Sequence, residues 1–165
     1  IEYPEFTLIN CYFPNGGGAP ERLAYKLEFY EAFIKHLKKL LKAGKEIVVC
    51  GDFNIVHNEP DAARFKENQG NIGLLPEERD KLDQFLKIGL VDAFRQMYPD
   101  VRDIYTWWDM KSYARDRNIG WRIDSFFISK RLVDNLKDIE VHDLVLGSDH
   151  CPVSLTLQFK DKRNK

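Results

Sequence analysis

Along the chain the spacing of apolar positions changes several times, and each change marks an element. Over residues 6–13 they are dense and rich in strand formers, and Pro14-Asn15-Gly16-Gly17-Gly18 then breaks the run, so a strand ending in a mobile loop is predicted. Over residues 21–43 Leu23, Leu27, Tyr30, Ile34, Leu37 and Leu41 recur at steps of four and three, with Gly44 as a stop. That spacing predicts a long amphipathic helix. Its Lys35, Lys38, Lys39 and Lys42 read as a solvated face rather than a polyanion-binding stripe. Residues 46–50 read as a buried strand, with the polar Gly51-Asp52-Phe53-Asn54 where it stops.

Residues 57–73 have little periodicity and several Asn and Gly, the mark of a long functional loop. Pro76-Glu77-Glu78 opens a helix running to Ile88 and closed by Gly89, because proline suits the first helical position and acids suit the helix dipole. A short helix is expected over 91–98 and a brief one over 130–136. Strands are expected over 106–108, 121–129, 139–146 and 152–159. This mixture, with several strands adjacent in sequence, predicts two packed sheets with helices outside. Residues 1–159 read as part of one catalytic domain, and the basic tail 160–165 as disordered.

Composition narrows the picture. A chain of 165 residues, 44% hydrophobic, suits one domain with a sizeable core. Its formal charge of −1 gives no blanket attraction to polyanions, so nucleic-acid binding needs a local cluster of basic and neutral donors. Cys11, Cys50 and Cys151 each lie in or beside a strand-like run and read as reduced, buried thiols of an intracellular protein, in cytoplasm or nucleus. No apolar run approaches the roughly 20 residues needed to span a membrane, and no signal peptide opens the chain. The absence of an initiator Met and the early strand lead to the expectation that the natural start lies upstream.

Four polar clusters fall at strand ends: Tyr12 with Asn15, Asp52 with Asn54, Trp121-Arg122-Ile123-Asp124, and Ser148-Asp149-His150. Each alone is ordinary turn chemistry. In this order they resemble the paired motifs of the endonuclease/exonuclease/phosphatase superfamily, and Tyr12-Phe13-Pro14-Asn15 with Gly120-Trp121-Arg122-Ile123-Asp124 is similar to the exonuclease III class of abasic-site endonucleases. The resemblance covers residues 6–159. It implies a four-layer α/β/β/α sandwich, with N-terminal strands and the principal metal-binding Glu outside this chain.

The implied reaction is divalent-metal-dependent hydrolysis of a DNA phosphodiester 5′ to an abasic site, with possible 3′-end exonuclease or phosphodiesterase activity. In that chemistry Asp52 orients and deprotonates water, Asn54 fixes it, and His150, oriented by Asp124, donates to the phosphate. Tyr12 and Asn15 donate to the phosphate or leaving oxygen. Asp149, Asp52 and Asn54 offer oxygens to Mg²⁺ or Mn²⁺. Trp107, Trp121 and Ile123 wall a pocket for an extruded sugar. Asn71 is the expected phosphate contact, and Arg64, Lys66, Lys111, Arg115 and Arg117 a possible rim. His36, His57 and His142 read as structural or surface residues. The implied partners are double-stranded DNA with abasic sites or 3′ ends and the upstream segment of the same domain. Two other readings stand beside this one: a retroelement-type endonuclease, and a catalytically incomplete fragment that binds DNA or a complementary chain.

Overall fold

A computed structural model describes residues 1–111 and 113–160. The tail residues 161–165 lie outside the described residues. The first strand, β1 (Thr7–Asn10), feeds the long helix α1 (Pro20–Lys42) and returns as β2 (Ile47–Asp52), which pairs parallel to β1. α1 starts with Pro20 at its first position and buries Tyr30, Ile34 and Leu37 at the helical spacing the sequence showed. α3 (Pro76–Lys87) follows a loop that carries a 3-10 turn at Glu59–Asp61 and one short helix, α2 (Phe65–Asn68). It packs beside α1.

β3 (Leu90–Asp92) and β6 (Asp124–Ser129) complete a four-stranded sheet in the order β1-β2-β6-β3, where β6 runs antiparallel to both neighbours. Alternate residues of the sheet face opposite cores. Val49 and Phe127 join Phe13, Tyr30, Leu37, Phe53 and Phe85 beneath α1 and α3. Val48 and Ile128 turn to the other side, against α4 (Ala93–Met97) and the hairpin of β7 (Leu136–Val141) and β8 (Val153–Leu157). Helices, sheet and second sheet are thus stacked as expected. Both long helices pack on one face, and the second sheet has only the short α4 beside it among the described residues.

Three expected elements differ in form. The helix foreseen over 91–98 begins at Ala93, because Leu90–Asp92 pairs with the edge of β6, and the Asp92 carboxylate then caps α4 by accepting from the Phe94 and Arg95 N–H groups. The strand foreseen over 121–129 is divided: β5 (Gly120–Trp121) pairs with β4 (Trp107–Trp108), and β6 joins the main sheet. Between them the Arg122 N–H donates to the Asp61 carbonyl and the Ile123 carbonyl accepts from the Phe53 N–H. The strand foreseen over 139–146 runs instead over Leu136–Val141. Its partner begins after Pro152, which has no N–H to extend the ladder, so Leu144, Val145 and Leu146 form an exposed turn.

Candidate active site

The site forms where β1 and β2 end and β6 begins. Beyond β1 the backbone stays beside β2, with the Phe13 N–H donating to the Asp52 carbonyl, so Phe13 is buried in the aromatic core while its neighbour Tyr12 is exposed at the pocket mouth. Gly51 permits this closeness: its φ is +131°, and a Cβ there would collide with the Cys11 carbonyl oxygen. Asp52 and Asp124 are directly opposed across the β2–β6 ladder, which brings together two carboxylates far apart in sequence. Tyr12, Asn15, Asp52, Asn54, Ile72, Trp107, Trp121, Ile123, Asp149 and His150 line one pocket of about 470 Å³.

Asn54 is the hub of the polar side. Its N–H donates to Asp52 Oδ1 at 2.8 Å, and its carboxamide Nδ2 to Asp52 Oδ2 at 2.9 Å and to the Phe13 carbonyl at 3.0 Å. Its Oδ1 accepts from Asn15 Nδ2 at 3.1 Å. Burial pushes the Asp52 carboxyl up to about 6, with Asp124 adding to the rise and the Asn54, His150 and Lys26 donors and charges opposing it. His150 Nδ1 lies 2.8 Å from Asp124 Oδ2, and that bond raises the imidazole above its ordinary 6.5, against the effect of burial. Asp149 Oδ2 accepts from Trp107 Nε1 at 3.1 Å. Despite some desolvation, that donor and its neighbours pull the carboxyl below the usual range.

The apolar side is a pair of tryptophans, with ring centroids 5.5 Å apart and planes at 58°, over the buried Ile123. Gly73 lies behind Trp121 at φ +94°, where a Cβ would come within 2.9 Å of the indole. Behind the same wall Arg122 points away from the pocket. It is 3% exposed, with Nε 2.7 Å from Asp61 and Nη2 2.7 Å from Asp92, and so is structural.

The sequence-derived site therefore assembles almost whole. Asn71 is the exception: it is exposed outside the pocket and its carboxamide donates to Asn68, while Ile72, not foreseen, lines the wall. Of the expected rim, Arg115 stacks on Trp108 and donates to the carbonyls of Asp143, Val145 and Ser148, so it fastens the turn before Asp149 rather than lying free. His57 pairs with Asp83 and His142 with Ser154, both away from the pocket, as expected of structural residues. Two buried ions, Lys26 and Glu78, were also missed; a lone Lys in an amphipathic pattern carries no sequence signal of burial.

Asp52, Asn54 and Asp149 offer hard oxygen donors to one pocket, the class that Mg²⁺ and Mn²⁺ take. The donor chemistry fits a divalent cation. Among the described residues, however, no group of three or more His, Cys, Asp or Glu could hold a metal, so these three supply only part of a shell. The three cysteines are free thiols, and no helix among the described residues is long and apolar enough to cross a membrane.

Comparison with known proteins identifies the family. The model of the endonuclease/exonuclease/phosphatase family matches residues 2–150, and the chain belongs to that family. An exodeoxyribonuclease of Bacillus subtilis is 39% identical over 159 residues, covering 96% of this chain and 63% of the relative. The zebrafish (Danio rerio) DNA repair nuclease APEX1 is 40% identical, covering 94% and 50%. Among solved structures, an AP endonuclease of Leishmania major superposes with a TM-score of 0.86 at 31% identity, covering 93% of this chain and 50% of that one. The chain thus spans between half and just under two thirds of the length of these proteins. AP endonucleases of this family are divalent-metal dependent.

Proposed function

We propose that this chain carries most of the active site of a divalent-metal-dependent DNA phosphodiesterase that cleaves 5′ to abasic sites, with 3′-end exonuclease or phosphodiesterase activity at the same centre. One observation carries the reading: Asp52 faces Asp124 across a strand pair, Asp124 holds His150, and Asp52 and His150 line one pocket with the two tryptophans.

Asp52, titrating near 6, is mostly ionised at neutral pH yet basic enough to take a proton from water. Asn54, locked to both Asp52 oxygens, orients the water and the phosphate without adding negative charge. Asp124 fixes the tautomer of His150 and favours its protonated form, so the imidazolium donates to the phosphate as charge grows there. Tyr12 and Asn15 stand at the mouth, where their donors can reach the phosphate or leaving oxygen. Asp149, Asp52 and Asn54 would hold part of the shell of Mg²⁺ or Mn²⁺, with groups beyond these donors completing it, and the bound cation would supply relief of phosphate charge. Trp107, Trp121 and Ile123 admit a sugar without its base and exclude a full nucleotide. Asn71 and the exposed Arg64, Lys66 and Lys111 contact the backbone farther out.

The experiment is incision of an end-labelled duplex carrying one abasic site, with Mg²⁺ and with chelator, in a preparation that also holds the groups completing the metal shell. Metal-dependent cleavage on the 5′ side is expected. If neither the abasic site is cut nor the 3′ end shortened or unblocked, the proposal is wrong.

A further inference from the structure

Helix α1 buries a lysine beneath the site. Lys26 has no exposed surface, and its Nζ donates to the Asn54 carbonyl at 2.7 Å and to Glu78 Oε1. Glu78, in the first turn of α3 and equally buried, accepts with Oε2 from the Gly73 and Leu75 N–H groups at 2.6 and 3.1 Å. Taking both charges out of water is costly, and an apolar pair of similar volume would fill the space as well. It would not hold the backbone groups these ions hold.

Those groups belong to the two sides of the pocket. Asn54 stands at φ +52°, a left-handed conformation that a residue with a side chain keeps only where its surroundings impose it. Its N–H and carboxamide both bind Asp52, so a relaxation of the Asn54 backbone would release the carboxylate as well. Gly73, also left-handed, backs Trp121. The ion pair thus joins α1 and α3, two elements outside the catalytic strands, to the turn after β2 and to the turn behind the apolar wall.

We infer that Lys26 and Glu78 are a positioning pair: Lys26 keeps Asn54 in its left-handed conformation, and Glu78 fixes the turn that supports Trp121. Lys26 is therefore no phosphate ligand, since its ammonium is enclosed and occupied. The consequence for catalysis rests on the phosphodiesterase reading; the hold on Asn54 does not.

The exchange test uses the whole chain, and the turnover test a preparation that also holds the groups completing the metal shell. Lys26→Met leaves Glu78 buried and unpaired and can fail to fold, so the informative variant is Lys26→Met/Glu78→Gln, which removes both charges but keeps an amide oxygen for Gly73 and Leu75. Hydrogen exchange of the Asn54 amide should accelerate about tenfold or more while the Val48 and Val49 amides in β2 stay protected. On the abasic duplex kcat should fall about tenfold or more with KM within about threefold, because the loss is in alignment rather than binding. Lys26→Arg, which keeps a donor for both acceptors, should recover most of the turnover. Unchanged Asn54 exchange in the folded double variant would overturn the inference, and so would faster exchange with unchanged turnover. A wild-type preparation with a completed metal shell that cleaves nothing would instead sink the phosphodiesterase reading, and the Asn54 exchange would still decide the role of the pair.

Discussion

The two sides of the pocket owe their shape to different forces. On the polar side Asp52 and Asp124 sit on paired strands of six residues each, so their separation is set by backbone hydrogen bonds over an aromatic core. On the apolar side Trp107 and Trp121 sit on a ladder of two residue pairs, held against the loop after β2 by the Ala62–Trp121 bridge and by Gly73. What steadies that wall is the buried network of Asp61, Arg122, Asp92 and Arg95 behind it. On the proposed reading, chemistry is placed on the half braced by the longer ladder, the stiffer of the two, and selection on the half that loops can reshape.

The comparison is tested most severely on the polar side. Asp52→Asn should lower turnover about a hundredfold or more, since an amide cannot accept the proton of water. DNA affinity in a filter or fluorescence assay should survive. Turnover within a few-fold of wild type would remove Asp52 from the base role. Next in size is the coupling of His150 to Asp124. Each alanine substitution should cost about tenfold or more, and the double variant little beyond the worse single one, because the two act as a unit. Losses that multiply would break the pair.

The same two groups set the pH profile. Asp52 must be ionised to act, so cleavage should rise as pH climbs through about 6. His150 must be protonated, and its raised pKa places the falling limb above the ordinary 6.5. The apparent values belong to the coupled set rather than to either residue alone. Asp124→Asn removes the charge that supports the imidazolium and should bring the falling limb to lower pH in a pH–kcat series. A falling limb that stays in place would show that Asp124 does not govern His150.

The stiff half was also the half more legible in the sequence. Tyr12, Asp52, Asp124 and His150 stood out because polar residues at the ends of apolar runs are where strands deliver chemistry, and a ladder carries that local pattern faithfully into space. The long helices were equally plain from their spacing. The loop half was harder. Ile72 and Asn71 differ by one position, and only the turn decides which of them faces the pocket. The burial of Lys26 and the inward turn of Arg122 depend on partners 52 and 61 residues distant, and the division of 121–129 on pairing with β4 at one end and with β2 and β3 at the other, none of which a local pattern records.

On the loop half the effects should be smaller. Trp121→Ala removes one wall of the proposed sugar pocket while leaving Asp52 and Asp124 on their paired strands and His150 bonded to Asp124. Discrimination between an abasic site and an intact nucleotide should relax about tenfold, while kcat on the abasic duplex falls less than in Asp52→Asn. Equal losses on both substrates would assign Trp121 to the chemistry, and the contrast between the two halves would be lost.

The smallest effect is expected at Asn71. It is exposed, lies outside the pocket, and has its carboxamide bonded to Asn68, so its removal disturbs neither wall; the Leu74 N–H still donates to the carbonyl of residue 71 in the variant. A contact to phosphate from that place supplies ground-state binding and no transition-state charge relief. Asn71→Ala should therefore raise KM on a duplex by about threefold with kcat unchanged. Because one neutral hydrogen bond is lost rather than a charge, the dependence of KM on salt should keep its slope. A fall in kcat would mean that the loop closes over the bound backbone and carries Asn71 to the reacting phosphate, making the loop half a participant in chemistry. An unchanged KM would remove Asn71 from the DNA interface and leave backbone contact on that side to Arg64 and Lys66.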